Sequence, residues 1–522
     1  MLDPTLRRRE LLQATLAMGM GWRLADAGRS DENRVNDIGS RRELFVDRGL
    51  IDRMTGTELR LQTPIPREVA IRYDLPWEDE FAFYSTLLKD GDTYRLYYRG
   101  RYTKPVTTCY AESTDGIHWT KPDLGLVEFR GSKKNNVILP TALQFCPFID
   151  SRPGVPEAER YKANSRDPRD SGGLVGYVSA DAIHWRQIDE KPIVPSQYAN
   201  NFDSQNVMFW SQAEQCYVLY ARHMADGRRA TARATSKDFL HWSGQTLMSY
   251  SDTGTTIPSA QLYTNQTRPY FRAPHIYVSM PGRIFFADQR HVPRQDDKLA
   301  AQQRLAAVTP RVREFFEKNV NTGGGGVGDV SDAVFLTSRA GSTRYDFTFK
   351  ESFVRPGIGL GHWTTRTNYP ASGVVQTSSS EMSFYMQRHY AQKTANLQRM
   401  SLRLDGFVAL HTPHAGGEMR TQPLTFSGCR LEINYSTSAA GSLRIEMQDV
   451  SGKPLPEHSL ADCPEIFGDD IERVVEWKSG SDVSQFAGQP IRLRFVMKDA
   501  DLFSIRFAEG ARKKSVEGAK GY

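Results

Sequence analysis

Apolar residues in this chain fall in short, aromatic-rich runs that end in turns of Gly, Pro, Ser or Asp. Tyr94-Arg-Leu-Tyr-Tyr-Arg99, Arg160-Tyr-Lys-Ala163 and Cys216-Tyr-Val-Leu-Tyr-Ala-Arg222 are typical, with further short runs near 81–88, 144–149 and 206–210. Runs of this length and composition predict strands rather than helices. Three of them lead into one motif: Ser113-x-Asp115-x-x-His118-Trp119, Ser179-x-Asp181-x-x-His184-Trp185 and Ser236-x-Asp238-x-x-His241-Trp242. The tryptophans stand 66 and 57 residues apart, so the repeating unit is a set of several short strands. Tandem units of that size predict the blades of a β-propeller.

Two more units follow without the full motif. One starts at Arg272-Ala-Pro-His-Ile-Tyr-Val-Ser279 and resumes at Ser331-Asp-Ala-Val-Phe-Leu-Thr-Ser338. Between them lies an insert with a helical patch, Arg311 to Lys318, and the glycine run 323–326, which predicts a mobile loop. The other covers Gly373–Thr377, Glu381–Tyr385 and Leu397–Leu404. The early strand Glu43-Leu-Phe-Val-Asp47 is expected to close the ring with the last blade. Beyond about residue 410, alternating strands at Leu424–Tyr435, Gly441–Gln448, Ile491–Met497 and Leu502–Phe507 predict a β-sandwich. The reading is an all-β chain: a five-bladed β-propeller over 40–405, a C-terminal β-sandwich over 406–510, and a disordered tail over 511–522.

The repeated motif has a structural meaning of its own. Its Asp caps backbone N–H groups in a tight turn, its Ser supports the turn, and its Trp packs between neighbouring sheets. Its Asp and His residues are therefore expected to serve the repeat rather than any chemistry.

Residues 7–27 depart from this texture. The order of an arginine cluster at Arg7–Arg9, a short apolar segment from Leu11 to Trp22 and the triplet Ala25-Asp26-Ala27 matches a bacterial export signal with its cleavage site. Arg8-Arg9-Glu10-Leu11-Leu12 resembles a twin-arginine signal, so residues 1–27 are expected to be removed and the protein to reach the periplasm or the exterior. An amphipathic helix that stays on the chain is the alternative. No later segment approaches the run of about 20 apolar residues that spans a bilayer.

Composition supports the strand reading, with 11% aromatics, 41 glycines and 27 prolines in 522 residues. Lys plus Arg (67) exceeds Asp plus Glu (61) by only six, and no dense basic block with interleaved aromatics occurs, so no nucleic-acid partner is expected. Cys109, Cys146, Cys216, Cys429 and Cys463 show no C-x-x-C spacing, which argues against structural zinc. Cys429 and Cys463 would pair only in an oxidising compartment; free buried thiols are the favoured reading.

With five blades, a sandwich and S-x-D-x-x-H-W at the blade turns, the chain resembles the propeller glycosidases: the invertase-like family 32 and the arabinanase/xylosidase-like family 43. It is nearest to exported family 32-like proteins of environmental bacteria, for which the resemblance implies no proven activity. The resemblance implies a carbohydrate partner and three carboxylates around the channel, since glycoside cleavage needs one ionised and one protonated carboxyl group. Arg166-Asp167-Pro168 matches the family's Arg-Asp-Pro string literally, yet its place in a hairpin sets it aside as a decoy. Asp203, in Asn201-Phe-Asp-Ser-Gln-Asn206 ahead of an inner strand, is the better positional match. In the first blade Trp77-Glu-Asp-Glu-Phe81 supplies the carboxylates; Asp79 is chosen among the three, and Asp150 is a spare. Where the family carries its general acid, this chain has Arg272-Ala-Pro-His275, so Glu381 or Asp332 would have to serve.

Arg272, His275, Arg366 and Asn368 are expected to give the channel a cationic, amide-rich lining suited to an anionic or sulfated sugar. Trp363 is expected to stack on a sugar ring, and Trp77 and Asn206 complete the expected substrate-binding set. No cofactor is expected, and no metal-ligand spacing occurs, although a channel Ca²⁺ held by carboxylates and carbonyls would leave no trace in sequence. The leading reading is a glycoside hydrolase-like enzyme acting through channel carboxylates. A non-catalytic carbohydrate-binding propeller is the second. A sialidase-like enzyme is the third, and it would need an arginine triad in a six-bladed ring.

Overall fold

The computed structural model describes residues 35–167, 172–196, 202–285, 310, 313–314, 329–364 and 366–510. The export signal, the glycine run, the C-terminal tail and most of the expected helical patch lie outside the described residues. Within them the protein is all-β.

The aromatic-rich runs form five successive antiparallel units. The first orders Phe83–Asp90, Thr93–Arg101, Thr107–Ser113 and Val137–Leu139. The second orders Cys146–Ile149, Tyr161–Arg166, Leu174–Ser179 and Arg186–Gln187. The third orders Val207–Ser211, Cys216–Ala225, Arg228–Ser236 and Thr246–Leu247. The fourth is interrupted midway: Gln261–Tyr263 pairs Gly282–Phe285 and then Val330–Ala333, whereas Arg268–Tyr270 pairs Ala273–Ser279 and then Leu336–Arg339. Thr264 and Gln266, both at positive φ, sit at the interruption. The fifth sets Tyr369–Pro370 and Val375–Gln376 against Glu381–Arg388, followed by Asn396–Arg403 and Ile65–Arg72.

Cys146–Ile149 lies beside both Phe83–Asp90 and Val207–Ser211, and Val207–Ser211 meets Arg268–Tyr270. Val330–Ala333 meets Tyr369–Pro370, and Val375–Gln376 meets Phe83–Asp90, with Thr86 bridged to Ser372. The strand that completes the last unit is Ile65–Arg72 rather than Glu43–Asp47. Arg42–Leu44 instead pairs with Arg492–Ala508, and Ile51–Thr55 and Glu58–Leu61 also join C-terminal strands. All belong to an eight-stranded sheet dominated by Arg430–Gln448 and Arg492–Ala508. Leu431, Ile433, Leu443, Ile445, Leu493 and Phe495 form its fully buried core, with Phe45 packed among them. Thus the N-terminal residues 36–61 belong with the C-terminal sheet by pairing, and the ring runs from Ile65 to Arg403.

The repeated motif builds the same corner three times. Asp115 Oδ1 accepts from the Ile117 and His118 amides at 2.7 and 2.8 Å, and its Oδ2 lies 2.7 Å from His118 Nδ1. Asp181 and Asp238 repeat these contacts with His184 and His241. Burial is the largest single influence and raises these carboxylates, but the hydrogen bonds together outweigh it and hold all three well below the usual range. The corners also staple neighbours: Tyr97 of the first unit donates to Ala182 O at 2.9 Å, and Tyr385 of the fifth donates to Gly116 O. All five cysteines are free thiols, Cys429 half-buried and the others buried.

Candidate functional site

Strand register decides which side chains meet at the centre of the ring. Tyr94, Tyr161 and Tyr217 each lie opposite the motif serine of their own unit: Ser113, Ser179 and Ser236. Five residues further along each of these second strands, about 17 Å away, stand Arg99, Arg166 and Arg222. The equivalent position in the fourth unit, five after Tyr277 opposite Ser338, is Gly282. A Cβ there would lie 2.3 Å from Cδ1 of Tyr369, so the glycine makes room for that ring. Arg388 ends the second strand of the fifth unit.

Between these strand ends lies an aromatic floor. The Tyr84 and Tyr263 hydroxyls are hydrogen-bonded to each other. The guanidinium of Arg99 sits 4.9 Å from the Tyr84 ring centre, and those of Arg222 and Arg229 sit 5.9 and 5.7 Å from that of Tyr263. Tyr369 packs on Tyr263 and Tyr390 on Phe83, at centroid separations of 5.3 Å. Below, Gln205 donates to Tyr84 O and Thr86 Oγ1, and Gln266 donates to Gln205 Oε1 and Pro370 O, tying four units together. Burial, reinforced by Tyr263, pushes the Tyr84 and Tyr369 hydroxyls far above their ordinary pKa, so both are neutral. Burial lowers Arg366, but Tyr390, Tyr263, Tyr84 and Tyr369 outweigh it and the guanidinium stays charged. Tyr84, Phe202, Thr264, Gln266, Arg366, Asn368 and His389 all adopt positive φ, a concentration of backbone strain at one place in the fold.

The buried Asp329 lies close to Tyr369, and Asp203 is a half-exposed carboxylate of this mouth. It lies 3.6 Å from Arg166 Nη1 and 3.4 Å from Arg222 Nη1, and its side chain is 47% exposed. Asn206 shapes its loop, donating to Phe202 O and Ser204 O and accepting from the Arg222 amide. Arg366 is at the mouth, as expected. Asn368 lies beneath it, donating to Ser331 O and His362 O and accepting from Arg388. Trp363 stands on the rim, 41% exposed, with its indole N–H donated to Gly357 O. Beside it His362 and His389 stack at 4.6 Å; burial, then His389, lowers His362 to about 4.

The other expected residues do not converge here. Asp79 spends its acceptors on the Phe81, Tyr102 and Thr103 amides and the Thr103 hydroxyl, shaping the loop that carries Tyr102. Trp77 donates to Asn136 Oδ1 at 2.6 Å and packs on Phe129. Asp150 is buried between the second and third units, paired with Lys162 at 2.9 Å and accepting from Tyr217. Asp332 is gripped by Arg283. Arg272 pairs with Asp405 and Glu472, and His275 with Glu43, so both face the C-terminal sheet and not the channel. Glu381 pairs with Arg67 and Arg399 at the opposite end of its strand from Arg388, seven residues or about 23 Å away. Asp79, Asp203 and Glu381 therefore do not form one carboxylate cluster.

Arg166, set aside with its Arg-Asp-Pro string, is in fact a mouth residue. It ends the second strand of its unit, and second strands run back toward the starts of the first ones. Among the described residues no three His, Cys, Asp or Glu side chains come together to hold a metal ion. At the far end of the same inner strands, Leu88, Phe148, Phe209, Pro269, Phe271 and Val374 line a broad, mainly apolar depression of about 1560 Å³.

No protein-family model matches the sequence, and no curated protein matches it. Among solved structures, one described under the GH130 family of mannoside phosphorylases and β-1,2-mannoside hydrolases aligns at 14% identity. That alignment covers 69% of this chain and 96% of the other, with a TM-score of 0.40. A fructofuranosidase from Schwanniomyces occidentalis aligns at 8% identity over 86% of this chain and 98% of its own, TM-score 0.35. A GH43 endo-arabinanase from Bacillus licheniformis aligns at 10% over 62% and 94%, TM-score 0.32.

Proposed function

We propose that this protein is a glycoside-cleaving enzyme, a five-bladed β-propeller with a C-terminal β-sandwich, that takes an oligo- or polysaccharide at the arginine-lined mouth. The observation that carries the reading is Asp203: a half-exposed carboxylate between two guanidinium groups, over a floor of tyrosines. A carboxylate held between Arg166 and Arg222 is placed to stabilise a developing oxocarbenium ion or to activate water. The expectation of an anionic sugar, first placed on Arg272, His275, Arg366 and Asn368, now draws on Arg366 alone of those four. The sequence order at residues 7–27 supports export to the periplasm or beyond.

The test is a screen of the purified protein against neutral and anionic glycans, repeated with Asp203→Asn. Turnover by the parent, falling at least about a hundredfold in the variant with an unchanged thermal midpoint, is the expected result; turnover that survives the substitution removes Asp203 from the mechanism. The engagement of Asp79 and Glu381 elsewhere favours a second reading, a carbohydrate-binding propeller without catalysis. That reading expects glycan binding with no turnover by the parent protein.

A further inference from the structure

The register of the second strands goes beyond the choice of Asp203. Arg99, Arg166 and Arg222 occupy one equivalent position in three consecutive units, so their side chains leave the sheets at the same level around the channel. The fourth unit breaks the series with Gly282, and the Tyr369 ring fills the gap. The mouth thus carries guanidinium groups along an arc of three units, and Arg229 and Arg366 bring two more close to Tyr369. Arg99 is 5% exposed, its terminal nitrogen donates only to the neutral Phe81 carbonyl, and its Nε has no hydrogen-bond partner among the described residues. Arg222 Nε likewise has none. Buried charged donors left in this state are costly, and an oxyanion is the partner that would recover the cost.

We propose that the arc of Arg99, Arg166 and Arg222 is a subsite for an oxyanion carried by the sugar, a uronic carboxylate or a sulfate ester. This inference rests on the carbohydrate reading above and specifies its substrate class. Asp203 then acts as the counter-charge that keeps the arc from being saturated by small ions and turns the sugar's anion toward Arg99. Fork-shaped guanidinium groups suit both candidate anions, because each offers at least two coplanar oxygens.

Calorimetric titration with methyl glucuronide, glucose 6-sulfate and neutral methyl glucoside, each at low and at raised ionic strength, tests the subsite. The expected result is that at least one anionic probe binds, that its affinity falls with salt, and that the neutral probe binds at least about tenfold more weakly. The two anionic arms tell carboxylate from sulfate. Arg166→Ala should cost the anionic probe about tenfold or more, and Arg166→Lys, which keeps the charge but loses the fork, should fall between. Arg344→Ala, an exposed charge outside the mouth, should change nothing. Binding of the neutral sugar as tight as that of its charged partners overturns the subsite and leaves the carbohydrate reading standing. Sodium sulfate or acetate binding as tightly as the sugars overturns it too, by showing an ion site only. No binding of any sugar removes both.

Discussion

At the three motif corners, each copy makes the same contacts. The aspartate accepts two amides and faces a histidine, and the serine accepts from the turn, while Trp119 packs on Tyr385 of the fifth unit, Trp185 on Tyr97 of the first and Trp242 on Phe239. At the mouth, equivalent positions diverge. Three units keep an arginine, the fourth has glycine, and a single aspartate from the third joins them. The corners satisfy their serine and aspartate groups locally and leave their histidines 68–87% exposed on the outside. The mouth gathers positive-φ residues, unanswered donors and neutral tyrosines. In a repeated architecture, what every copy shares serves the frame, and what one copy breaks points to the site.

That contrast can be broken most directly at Gly282. Gly282→Ala puts a methyl group into the Tyr369 ring and should lower stability by about 1–3 kcal/mol while weakening sugar binding; a variant of unchanged midpoint and affinity would mean that the fourth unit's departure is incidental. The corners sharpen it from the other side. Asp181→Ala removes one turn cap and should cost about 1 kcal/mol, visible as a drop in thermal midpoint, with glycan affinity untouched. Loss of affinity in that variant would place chemistry at the corners after all.

The smallest effect is in pH. Burial lowers His362 from an ordinary 6.5 to about 4, so the unfolded chain takes up a proton there before the native one does. Its contribution to stability is full above about 6.5 and is lost as the pH falls toward 4. The thermal midpoint of the parent should therefore drop more steeply between those values than that of His362→Gln. Parallel curves would show that the rim histidine titrates normally.

The frame was largely legible in the sequence, because motif spacing and strand composition are local signals. The tyrosine opposite each motif serine sits in the very runs that predict strands, and the arginine five residues later is visible in all three: Tyr94 to Arg99, Tyr161 to Arg166, Tyr217 to Arg222. That second periodicity was readable and went unused, because Arg166 was judged by its string with Asp167 and Pro168 rather than by its place along the strand. Asp203 stands out in the sequence as a carboxylate that precedes the strand Val207–Ser211. Glu381 was misplaced because a carboxylate at a strand's start looks alike whichever end of the ring that start faces. Arg272 and His275 were assigned to a channel, but their partners Glu43, Asp405 and Glu472 come from segments far away in the chain, and no local pattern announces those meetings.

The threading of residues 36–61 through the C-terminal sheet sets a timetable for the chain. Asn36–Gly39 waits for Leu424–Phe426, Arg42–Leu44 for the last strand of all, and Ile65–Arg72 for Asn396–Arg403. During synthesis the early strands emerge hundreds of residues ahead of their partners and must remain unpaired until translation is almost finished. Such distant pairings slow folding and leave open edges exposed to other chains. A ribosome that stalls short of residue 492 leaves Arg42–Leu44 with no edge to join, although Asn36–Gly39, Ile51–Thr55 and Glu58–Leu61 still meet their partners.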